Sequence, residues 1–488
     1  MTRALRSVPN GDDILFTADQ LAAALGSSVE GGEGNRIEIT GVSVDSRATE
    51  PGDAFFALAG ETTDGHDFLA RAEEAGAVVA LVRSDFAAGN HPSLPLIPVG
   101  DTLIALGEAA SWHRSRFDVA CVAITGSVGK TTTKDMVSAV LAERGEILRN
   151  PGNFNTEIGT PLTLLSLGSR HAGLVQEIGM RKPGDVRYLA EMIRPDVGIL
   201  TNVRESHLEF FGTVEHLAQS KAELFQNLPS SGWAIVNGDD DFAQYMLDAG
   251  CARAILYYPS GVRKDCATFQ VWAEDVCLDD RARAQFTLHR SDGVKLPIRL
   301  EIAGEHHVAN ALAAAAAGTA IGISPEGIAR GLRGFEPTEM RSEWIRCGGF
   351  TILNDAYNSS PTSCKAALDM LSSIATEGRR VAVLGPMLEL GPVEESGHRD
   401  VGRAVAVSAT DLLFTALSPA DLIGSAALEC GFPAGAYRHF DQMDELCRAL
   451  SASVRDGDVI LIKASRSCRF ERCVDAILSG MRREGGEV

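Results

Sequence analysis

The segment Cys121-Val-Ala-Ile-Thr-Gly-Ser-Val-Gly-Lys-Thr-Thr-Thr-Lys134 decides how the rest of the chain is interpreted. The apolar run that leads into it, from Val119 to Ile124, predicts a buried strand. Thr125 to Gly129 then forms a glycine-hinged turn, and apolar residues recur at helical spacing from Lys130 to Arg144. A strand, a glycine turn and a helix in this order predict a phosphate-binding loop, because backbone N–H groups and the helix N-terminus together attract an anion.

The loop is a shortened form of the usual G-x-x-x-x-G-K pattern, since Ile124 stands where the first glycine would be. Lys130 would contact the terminal phosphates of a nucleoside triphosphate, and the Thr131 hydroxyl would hold Mg²⁺. An ordinary turn between a strand and a helix is the alternative. The strand before the loop and the helix after it favour the nucleotide site.

The composition bounds the function further. The 488 residues are too many for one core, and about two to four domains are expected. The net charge of −20, from 65 acidic and 45 basic residues, argues against a nucleic-acid partner and against an anionic membrane surface. No apolar run approaches the roughly 20 residues that span a bilayer. The ten cysteines form no Cys-x-x-Cys pair, which is typical of reduced core cysteines. We therefore expect a cytoplasmic protein without membrane insertion, and the acidic charge favours a monomer.

Alternating strand and helix patterns predict an α/β protein of three domains. The first domain is expected at 1–115. The second, at 116–336, would hold the phosphate loop in a parallel sheet, with antiparallel strands added near 265–303, where apolar and polar residues alternate. The third, at 337–488, again alternates strands and helices and is expected to be a small doubly wound domain of Rossmann-like type.

Polar residues at predicted strand ends are the first candidates for a site. Glu177 ends an apolar strand, where nucleotide-binding folds place metal-binding carboxylates, although it could instead cap the next helix. His207 follows another strand end, and His306 and Asn310 share one face of an alanine-rich helix. A further polar cluster after a strand suits either a ligand edge or a simple salt bridge and turn, and consists of Asp45, Ser46 and Arg47.

Taken in order, these segments resemble the Mur ligases of bacterial cell-wall synthesis over nearly the whole chain. The resemblance is carried by Asp45-Ser-Arg47, Pro51-Gly-Asp53, Asp64-Gly-His66, Gly126-Ser-Val-Gly-Lys-Thr131, Glu177-Ile-Gly179, His207-Leu-Glu209, Lys221-Ala-Glu223, Gly304 with His306 and Asn310, Asp355 with Tyr357, Asn358 and Pro361, Val383-Leu-Gly385, Met387-Leu-Glu-Leu-Gly391, and Lys463 with Ser465 and Arg466. Together these motifs are strong evidence, although only the phosphate loop would be specific alone.

The resemblance implies a role for each matching residue. The UDP end of the substrate would contact Asp45, Ser46 and Arg47. ATP would contact Thr125, Gly126, Ser127, Val128, Gly129, Lys130, Thr131, Thr132, Asn310, Arg341 and Asp355. Mg²⁺ would be bound by Thr131, Glu177, His207 and, once carbamylated, Lys221. The peptide substrates would contact Asn155, Thr156, Tyr357, Asn358, Lys463 and Ser465. The residues closest to the chemistry would be Lys130, His207 and Lys221.

The implied activity is an ATP-dependent ligase that adds D-Ala-D-Ala to a UDP-N-acetylmuramoyl tripeptide through an acyl phosphate. A related ligase that adds the third amino acid is the first alternative, but its Asp-Asn-Pro-Arg-like signature is absent and Tyr357-Asn-Ser-Ser-Pro361 stands instead. Folylpolyglutamate synthase lacks the first domain. A non-catalytic protein that binds UDP-sugar peptides would have no need for Lys130, Glu177, His207 and Lys221 together.

Four positions depart from the family pattern. Val128 and His307 each stand where Asn is usual, Pro386 replaces an Asp, and Ala464 replaces a Gly. At Val128 a side-chain hydrogen bond would be lost while the backbone contacts to phosphate survive. Pro386 puts the substrate contacts of the third domain in doubt, but not the ATP site.

Overall fold

The strands of this computed structural model gather into three main sheets, which follow one another along the chain. The structure describes residues 6–7, 15–31, 36–60, 62–86, 94–264 and 268–483. The predicted boundaries near residues 115 and 337 fall between the sheets and stay predictions. None of the helices in these ranges is both long and apolar enough to cross a membrane.

The first sheet has five strands in the order β1-β4-β5-β6-β7, with β1 antiparallel and the others parallel. The elements of this part are β1 (Arg6–Ser7), β2 (Phe16–Thr17), α1 (Ala18–Ala24), β3 (Glu38–Ile39), β4 (Gly41–Ser43), β5 (Asp53–Phe56), α2 (Leu69–Glu74), β6 (Val79–Arg83), β7 (Leu96–Val99) and α3 (Thr102–Arg114). Helix α1 begins at Ala18 because Thr17 and Gln20 form a capping box there.

The central sheet has nine strands in the order β16-β15-β14-β13-β12-β11-β8-β10-β9. Its strands are β8 (Ala120–Thr125), β9 (Glu146–Arg149), β10 (His171–Glu177), β11 (Val197–Leu200), β12 (Trp233–Asn237), β13 (Arg253–Tyr258), β14 (Phe269–Leu278), β15 (Arg283–Arg290) and β16 (Lys295–Ala303). Strands β8 to β14 pair in parallel, whereas β14, β15 and β16 pair antiparallel, so the predicted addition of antiparallel strands to a parallel sheet is confirmed.

The helices of the central part cover both faces of this sheet. They are α4 (Lys130–Leu141), α5 (Gly159–Leu164), α6 (Asp185–Ile193), α7 (Leu208–Phe211), α8 (Val214–Gln226), α9 (Ala243–Asp248), α10 (His307–Ile321) and α11 (Pro325–Arg333). The alanine-rich α10 packs beside α4, and its alanines from 311 to 317 are fully buried. Small side chains let the two helices approach closely, and this brings the start of α10 next to the phosphate loop.

The third sheet has six strands in the order β17-β18-β22-β19-β20-β21. The elements are β17 (Glu343–Cys347), β18 (Phe350–Asn354), α12 (Pro361–Ser373), β19 (Arg380–Leu384), α13 (Glu394–Val407), β20 (Leu412–Ala416), α14 (Asp421–Glu429), β21 (Tyr437–Phe440), α15 (Met443–Ser453), β22 (Val459–Lys463) and α16 (Glu471–Arg483). Only β17 is antiparallel to its neighbour, and apolar clusters cover both faces. This is the predicted doubly wound arrangement.

Candidate active site

A cavity of about 1200 Å³ lies between the central and third sheets. On the central side it opens at the carboxyl ends of β8, β10 and β11, the edge where doubly wound sheets bind ligands. The predicted site residues that line it are Gly126, Ser127, Val128, Gly129, Lys130, Thr131, Thr132, Asn155, Thr156, Glu177, His207, Lys221, Asn310, Arg341, Asp355, Tyr357, Asn358, Lys463 and Ser465. Residues that lie far apart in sequence therefore share one cavity.

The phosphate loop needs its glycines for steric reasons. Gly126 and Gly129 have φ angles of 148° and 87°, a region that L side chains rarely adopt. A Cβ on Gly126 would lie 1.9 Å from the Thr201 hydroxyl, and one on Gly129 would lie 2.6 Å from Oδ1 of Asn310. Gly129 caps α4 without a side-chain hydrogen bond. The first N–H groups of a helix have no partner within the helix, so here they are available to an anion.

Asn202, directly after β11, holds the loop in place. Its Oδ1 accepts a hydrogen bond from the Val128 N–H at 3.0 Å, and its Nδ2 donates to the Val128 carbonyl at 3.0 Å. The Thr201 hydroxyl donates to the same carbonyl at 2.7 Å. The backbone of Val128 is thus fixed on both sides although its side chain is apolar. Sequence reasoning did not single out Asn202; its position just after a buried strand was the available signal.

The Lys130 ammonium lies over the loop itself. Its Nζ donates to the Gly126 carbonyl at 2.9 Å and to the Ser127 carbonyl at 3.3 Å. Burial lowers the pKa of Lys130, although the nearby Glu177 carboxylate acts in the opposite direction. The side chain is therefore placed over the loop, where the phosphates of a nucleotide would lie.

Glu177 is the centre of a buried hydrogen-bond network. Its Oε2 accepts from the Thr131 hydroxyl at 2.6 Å, and its Oε1 accepts from the Asn155 amide at 2.8 Å. Burial would raise the pKa of Glu177, but the charges of Lys130, Lys134 and other cations outweigh this and lower it. The alternative prediction that Glu177 caps the next helix is wrong, because α6 begins at Asp185 with Gly184 as its cap.

Lys134 is a buried cation whose role the sequence pattern does not indicate. Its Nζ donates to the Asn150 carbonyl at 2.9 Å and lies 3.6 Å from Oδ1 of Asp135. The side-chain Oδ1 of Asn150 in turn accepts from the Glu177 N–H at 2.8 Å. Lys134 therefore holds Asn150 in place, and Asn150 in turn holds the backbone of Glu177.

His207 and Lys221 occupy a second part of the cavity. Nδ1 of His207 lies 2.5 Å from Oε2 of Glu389, which comes from the third sheet's side. Burial lowers the pKa of His207 although Glu389 opposes the shift. Lys221 is only 1% exposed, and among the described residues its ammonium has no hydrogen bond or ion pair. Burial, followed by repulsion from Lys130, lowers the pKa of Lys221 well below its ordinary value.

The wall from the third domain is built around Lys463. Its ammonium forms an ion pair with Asp355 and donates to the Asn358 carbonyl at 3.0 Å. The other carboxylate oxygen of Asp355 accepts from the Ser342 N–H at 3.0 Å. Beside this pair, the Arg341 guanidinium lies 4.1 Å from the centre of the Tyr357 ring. These contacts place two cations, Lys463 and Arg341, opposite the phosphate loop.

Two departures from the family pattern receive a structural explanation. His307 stands where the family usually has Asn, and its Nδ1 accepts a hydrogen bond from the Asn310 amide at 3.0 Å. Its Nε2 is buried and has no hydrogen-bond partner among the described residues. The Pro386 carbonyl accepts from the Ser465 N–H at 3.0 Å, a backbone contact that does not depend on the residue type. The Ser465 hydroxyl accepts from the Leu388 N–H at 2.9 Å.

Four predicted site residues lie outside the cavity. Arg47 forms an ion pair with Asp45 at 2.6 Å in the turn after β4, and its hydrogen bond lowers the pKa of Asp45. The predicted salt bridge and turn are therefore present, while contact of Asp45, Ser46 and Arg47 with a ligand stays a prediction. The Thr125 hydroxyl is buried below the loop without a hydrogen-bond partner among the described residues.

Three models of one protein family match successive parts of the chain. They describe the Mur ligase catalytic domain at residues 38–114, the Mur ligase middle domain at residues 124–318, and the Mur ligase glutamate ligase domain at residues 340–466. The chain belongs to the Mur ligase family. The family predicted from the sequence motifs is thereby confirmed.

Relatives of this family resemble the chain over most of its length. The UDP-N-acetylmuramoyl-tripeptide–D-alanyl-D-alanine ligase of Bacillus subtilis is 36% identical, over 90% of this chain and 93% of the relative. The ligase of the same name from Escherichia coli is 32% identical, over 95% and 98%.

Solved structures give the same result. A crystal structure of MurF from Acinetobacter baumannii matches with a TM-score of 0.84 and 30% identity, over 95% of this chain and 99% of that one. MurF from Thermotoga maritima, solved in complex with ADP, matches with a TM-score of 0.78 and 25% identity, over 91% and 98%. The predicted three-domain α/β fold is confirmed.

Proposed function

We propose that this Mur ligase joins D-Ala-D-Ala to a UDP-N-acetylmuramoyl tripeptide at the expense of ATP, a step in the synthesis of peptidoglycan precursors. Two relatives named for this activity are 32% and 36% identical to this chain, over 95% and 90% of its length. The structural observation that carries the proposal is a phosphate loop facing the Lys463 and Asp355 pair across one cavity. The loop wall suits the phosphates of ATP. On the opposite wall Arg341 and Asp355 would also contact ATP, and Lys463 would contact the peptide substrates.

The reaction has two steps. The terminal carboxylate of the tripeptide attacks the γ-phosphorus of ATP, so that an O–P bond forms and ADP leaves with the electrons of the broken bond. The amine of D-Ala-D-Ala then attacks the acyl carbon, phosphate leaves, and the amine loses a proton. Lys130 and the N–H groups at the start of α4 stabilise the phosphoryl oxygens in the first step. Lys463 and Arg341 add positive charge from the opposite wall.

ATP contacts follow from the position of each loop residue. We assign the phosphates to the backbone of Gly126 through Thr132 and to Lys130, and the base to the region of Asn310. Asn310 is held in place because its Oδ1 accepts from the Thr133 hydroxyl at 3.2 Å. The relative from Thermotoga maritima binds ADP, which supports a nucleotide in this cavity.

Mg²⁺ belongs to the proposal because the donor atoms fit it. The Thr131 hydroxyl and the Glu177 carboxylate are hard oxygen ligands, and Glu177 is kept ionised by the cations around it. Within the described residues no group of three His, Cys, Asp or Glu side chains is arranged to hold a metal alone. Bound Mg²⁺ would neutralise the charge that develops on the phosphoryl oxygens.

Lys221 fits a metal site only after modification. As an ammonium it would repel a cation, but its lowered pKa leaves more of the neutral amine available for attack on CO₂. The N–C bond then forms, one proton leaves, and the resulting carbamate supplies two oxygens. The absence of a partner for the Lys221 ammonium among the described residues supports this assignment.

The substrate contacts are proposed along the path from the first domain to the third. The UDP end would lie near Asp45, Ser46 and Arg47, and the muramoyl peptide would pass Asn155 and Thr156. The incoming dipeptide would contact the third domain at Tyr357, Asn358, Lys463 and Ser465. We further propose a cytoplasmic monomer, supported by the net charge of −20 and by the free cysteines of the described residues.

Phosphate release tests the proposed activity. Purified protein is supplied with ATP, Mg²⁺ and the UDP-muramoyl tripeptide, with and without D-Ala-D-Ala. We expect release that depends on D-Ala-D-Ala and is lost in Lys130→Ala. If phosphate is released only with the UDP-muramoyl dipeptide and a diamino acid, the chain is instead the related ligase that adds the third amino acid of the peptide. If ATP binds but no phosphate is released with either substrate pair, ligase activity would be contradicted.

A further inference from the structure

A hydrogen bond across the cavity joins two domains at one histidine. His207 lies between β11 and α7 of the central domain, and Glu389 lies between β19 and α13 of the third domain. Nδ1 of His207 is 2.5 Å from Oε2 of Glu389. The two loops pack closely here, since a Cβ on Gly391 would lie 2.7 Å from the Cα of Glu209. The contact therefore belongs to an interface and not to a single loop.

Both residues have unusual backbone conformations. His207 has a φ of 57° and Glu389 a φ of 62°, in the left-handed region that residues other than glycine rarely adopt. Such conformations persist where neighbouring contacts fix them. The result is that each side chain is aimed at the other from its own domain.

The third domain holds Glu389 in position independently of His207. The Met387 N–H donates to Nε2 of His398 at 3.0 Å, and the Leu388 N–H donates to the Ser465 hydroxyl at 2.9 Å. His398 is itself buried and bonded through Nδ1 to the Glu394 carbonyl at 2.7 Å. Contacts within the third domain thus hold the residues on the N-terminal side of Glu389.

The hydrogen bond determines which nitrogen of His207 is free. An ionised carboxylate only accepts hydrogen bonds, so Nδ1 must carry the proton that it donates to Glu389. Nε2 then keeps its lone pair, and the neutral ring is the form that binds metals. Carboxylates commonly orient metal-binding histidines in this way. His207 lines the same cavity as Lys130 and Lys221, whose charges also act on it.

We propose that Glu389 is a positioning residue, which fixes the ring of His207 from the opposite domain and thereby lets docking of the third domain complete the cation site. The inference rests on the proposed function, because it takes His207 to face the Mg²⁺ of the ligase reaction. It adds a residue to that site that is not itself a ligand. It implies that the cation is held more tightly when the two domains are in contact.

Mn²⁺ is the probe for this proposal, because the signal of free Mn²⁺ in electron paramagnetic resonance reports binding without turnover. The full-length protein is titrated with Mn²⁺ in the presence of ADP. We expect Glu389→Ala to weaken Mn²⁺ binding by about tenfold or more. His207→Ala should also weaken Mn²⁺ binding. Glu389→Gln keeps an oxygen that accepts the Nδ1–H and should stay within about threefold of the parent protein.

A matched control and a double variant separate positioning from general damage. Glu395→Gln removes a charge from the same domain at an exposed position and should leave Mn²⁺ affinity unchanged. If Glu389 acts through His207, adding Glu389→Ala to His207→Ala should weaken binding no further. A thermal melt of each variant checks that the fold is intact.

Three results would overturn the proposal, each in a different way. Parent-like Mn²⁺ affinity in Glu389→Ala, while His207→Ala is weakened, would remove the role of Glu389 and leave the proposed metal site standing. Unchanged affinity in His207→Ala would contradict the metal role of His207 in the proposed function as well. A further loss in the double variant would show that Glu389 acts by another route.

Discussion

The two domain boundaries of this ligase are built in opposite ways. Between the first and central domains one apolar cluster is continuous, from Leu15 in the first domain to Trp272 in the central sheet. His113 and Arg114 at the end of α3 seal it, donating to the carbonyls of Leu167 at 2.8 Å and Ile193 at 3.1 Å. The first and central domains are therefore packed against each other through a shared apolar core.

The boundary between the central and third domains is instead a polar cavity. The third domain has apolar clusters of its own, and Ala282 and Ala303 are the buried central-domain residues that join one of them. Direct contacts across the cavity include His207 with Glu389 and Thr338 with Asp135, and the loop of Glu389 packs against Glu209. The third domain therefore keeps apolar clusters of its own and faces the central domain largely across this cavity.

The largest expected effect is at the polar boundary, in Glu177→Gln. The substitution keeps the size of the side chain and removes its charge, so the loop geometry should survive while the interaction with a cation is lost. We expect kcat to fall by about 10³-fold, the size of effect that removing one stabilising group at a reacting centre produces. Phosphate release at saturating substrates measures it.

Glu191→Gln is the matched control for this prediction, because Glu191 is an exposed carboxylate on α6. Its kcat should stay within about threefold of the parent protein. A Glu177→Gln variant that kept more than a tenth of the parent kcat would show that the carboxylate charge at this strand end is dispensable.

The second-largest expected effect concerns His113 at the apolar boundary, where the free energy of unfolding should depend on pH. Burial lowers the pKa of His113 from 6.5 to about 4. Because the folded pKa lies below the unfolded one, the unfolded chain binds the proton first as the pH falls. Stability is therefore complete above pH 6.5 and is lost between pH 6.5 and pH 4. At pH 5 the loss from this residue should be about 2 kcal/mol.

Urea unfolding at pH 7 and pH 5 checks this prediction. His113→Gln keeps a donor for the Leu167 carbonyl but does not titrate, so its free energy of unfolding should fall by about 2 kcal/mol less than that of the parent protein over this interval. His216→Gln, at an exposed position on α8, should retain the parent pH dependence. Equal pH dependence in His113→Gln and the parent would mean that another group dominates acid unfolding.

The sequence was most informative where structure is local. The run before Gly126 is a strand and the run from Lys130 a helix, because apolar periodicity and glycine placement act over a few residues. Glu177 and His207 are recognisable from sequence because Glu177 ends a strand, His207 follows one, and the ends of parallel strands share one edge of a sheet.

Residues that support Glu177 and His207 from another element of the fold have no recognisable pattern in the sequence. Lys134 supports Glu177 through Asn150, and no spacing rule connects these positions. Glu389 belongs to a sequence motif, but its contact with His207 joins residues 182 positions apart and leaves no local signal. The side chains that hold a site in place therefore had to come from the structure, whereas the residues that give the site its chemistry were accessible from their residue types.

The smallest expected effect concerns Asn202, which supports the phosphate loop without reaching across the polar boundary. Asn202→Ala removes its two hydrogen bonds to Val128, but Thr201 still donates to the Val128 carbonyl. We expect KM for ATP to rise by about tenfold, equivalent to about 1.4 kcal/mol, because one or two hydrogen bonds that order the loop are lost. The kcat should change less than KM, since Lys130 and Glu177 stay in place.

Initial rates at varied ATP concentration measure this effect, and Val128→Asn is the informative partner variant. It introduces the residue usual in the family, and if backbone anchoring by Asn202 is what matters, it should change KM by less than about threefold. A large gain in Val128→Asn would mean that the side chain at this position contributes to ATP binding directly. A KM in Asn202→Ala equal to that of the parent would mean that Thr201 and the two loop glycines order the loop without help, and that the central wall is even more rigid than its hydrogen bonds indicate.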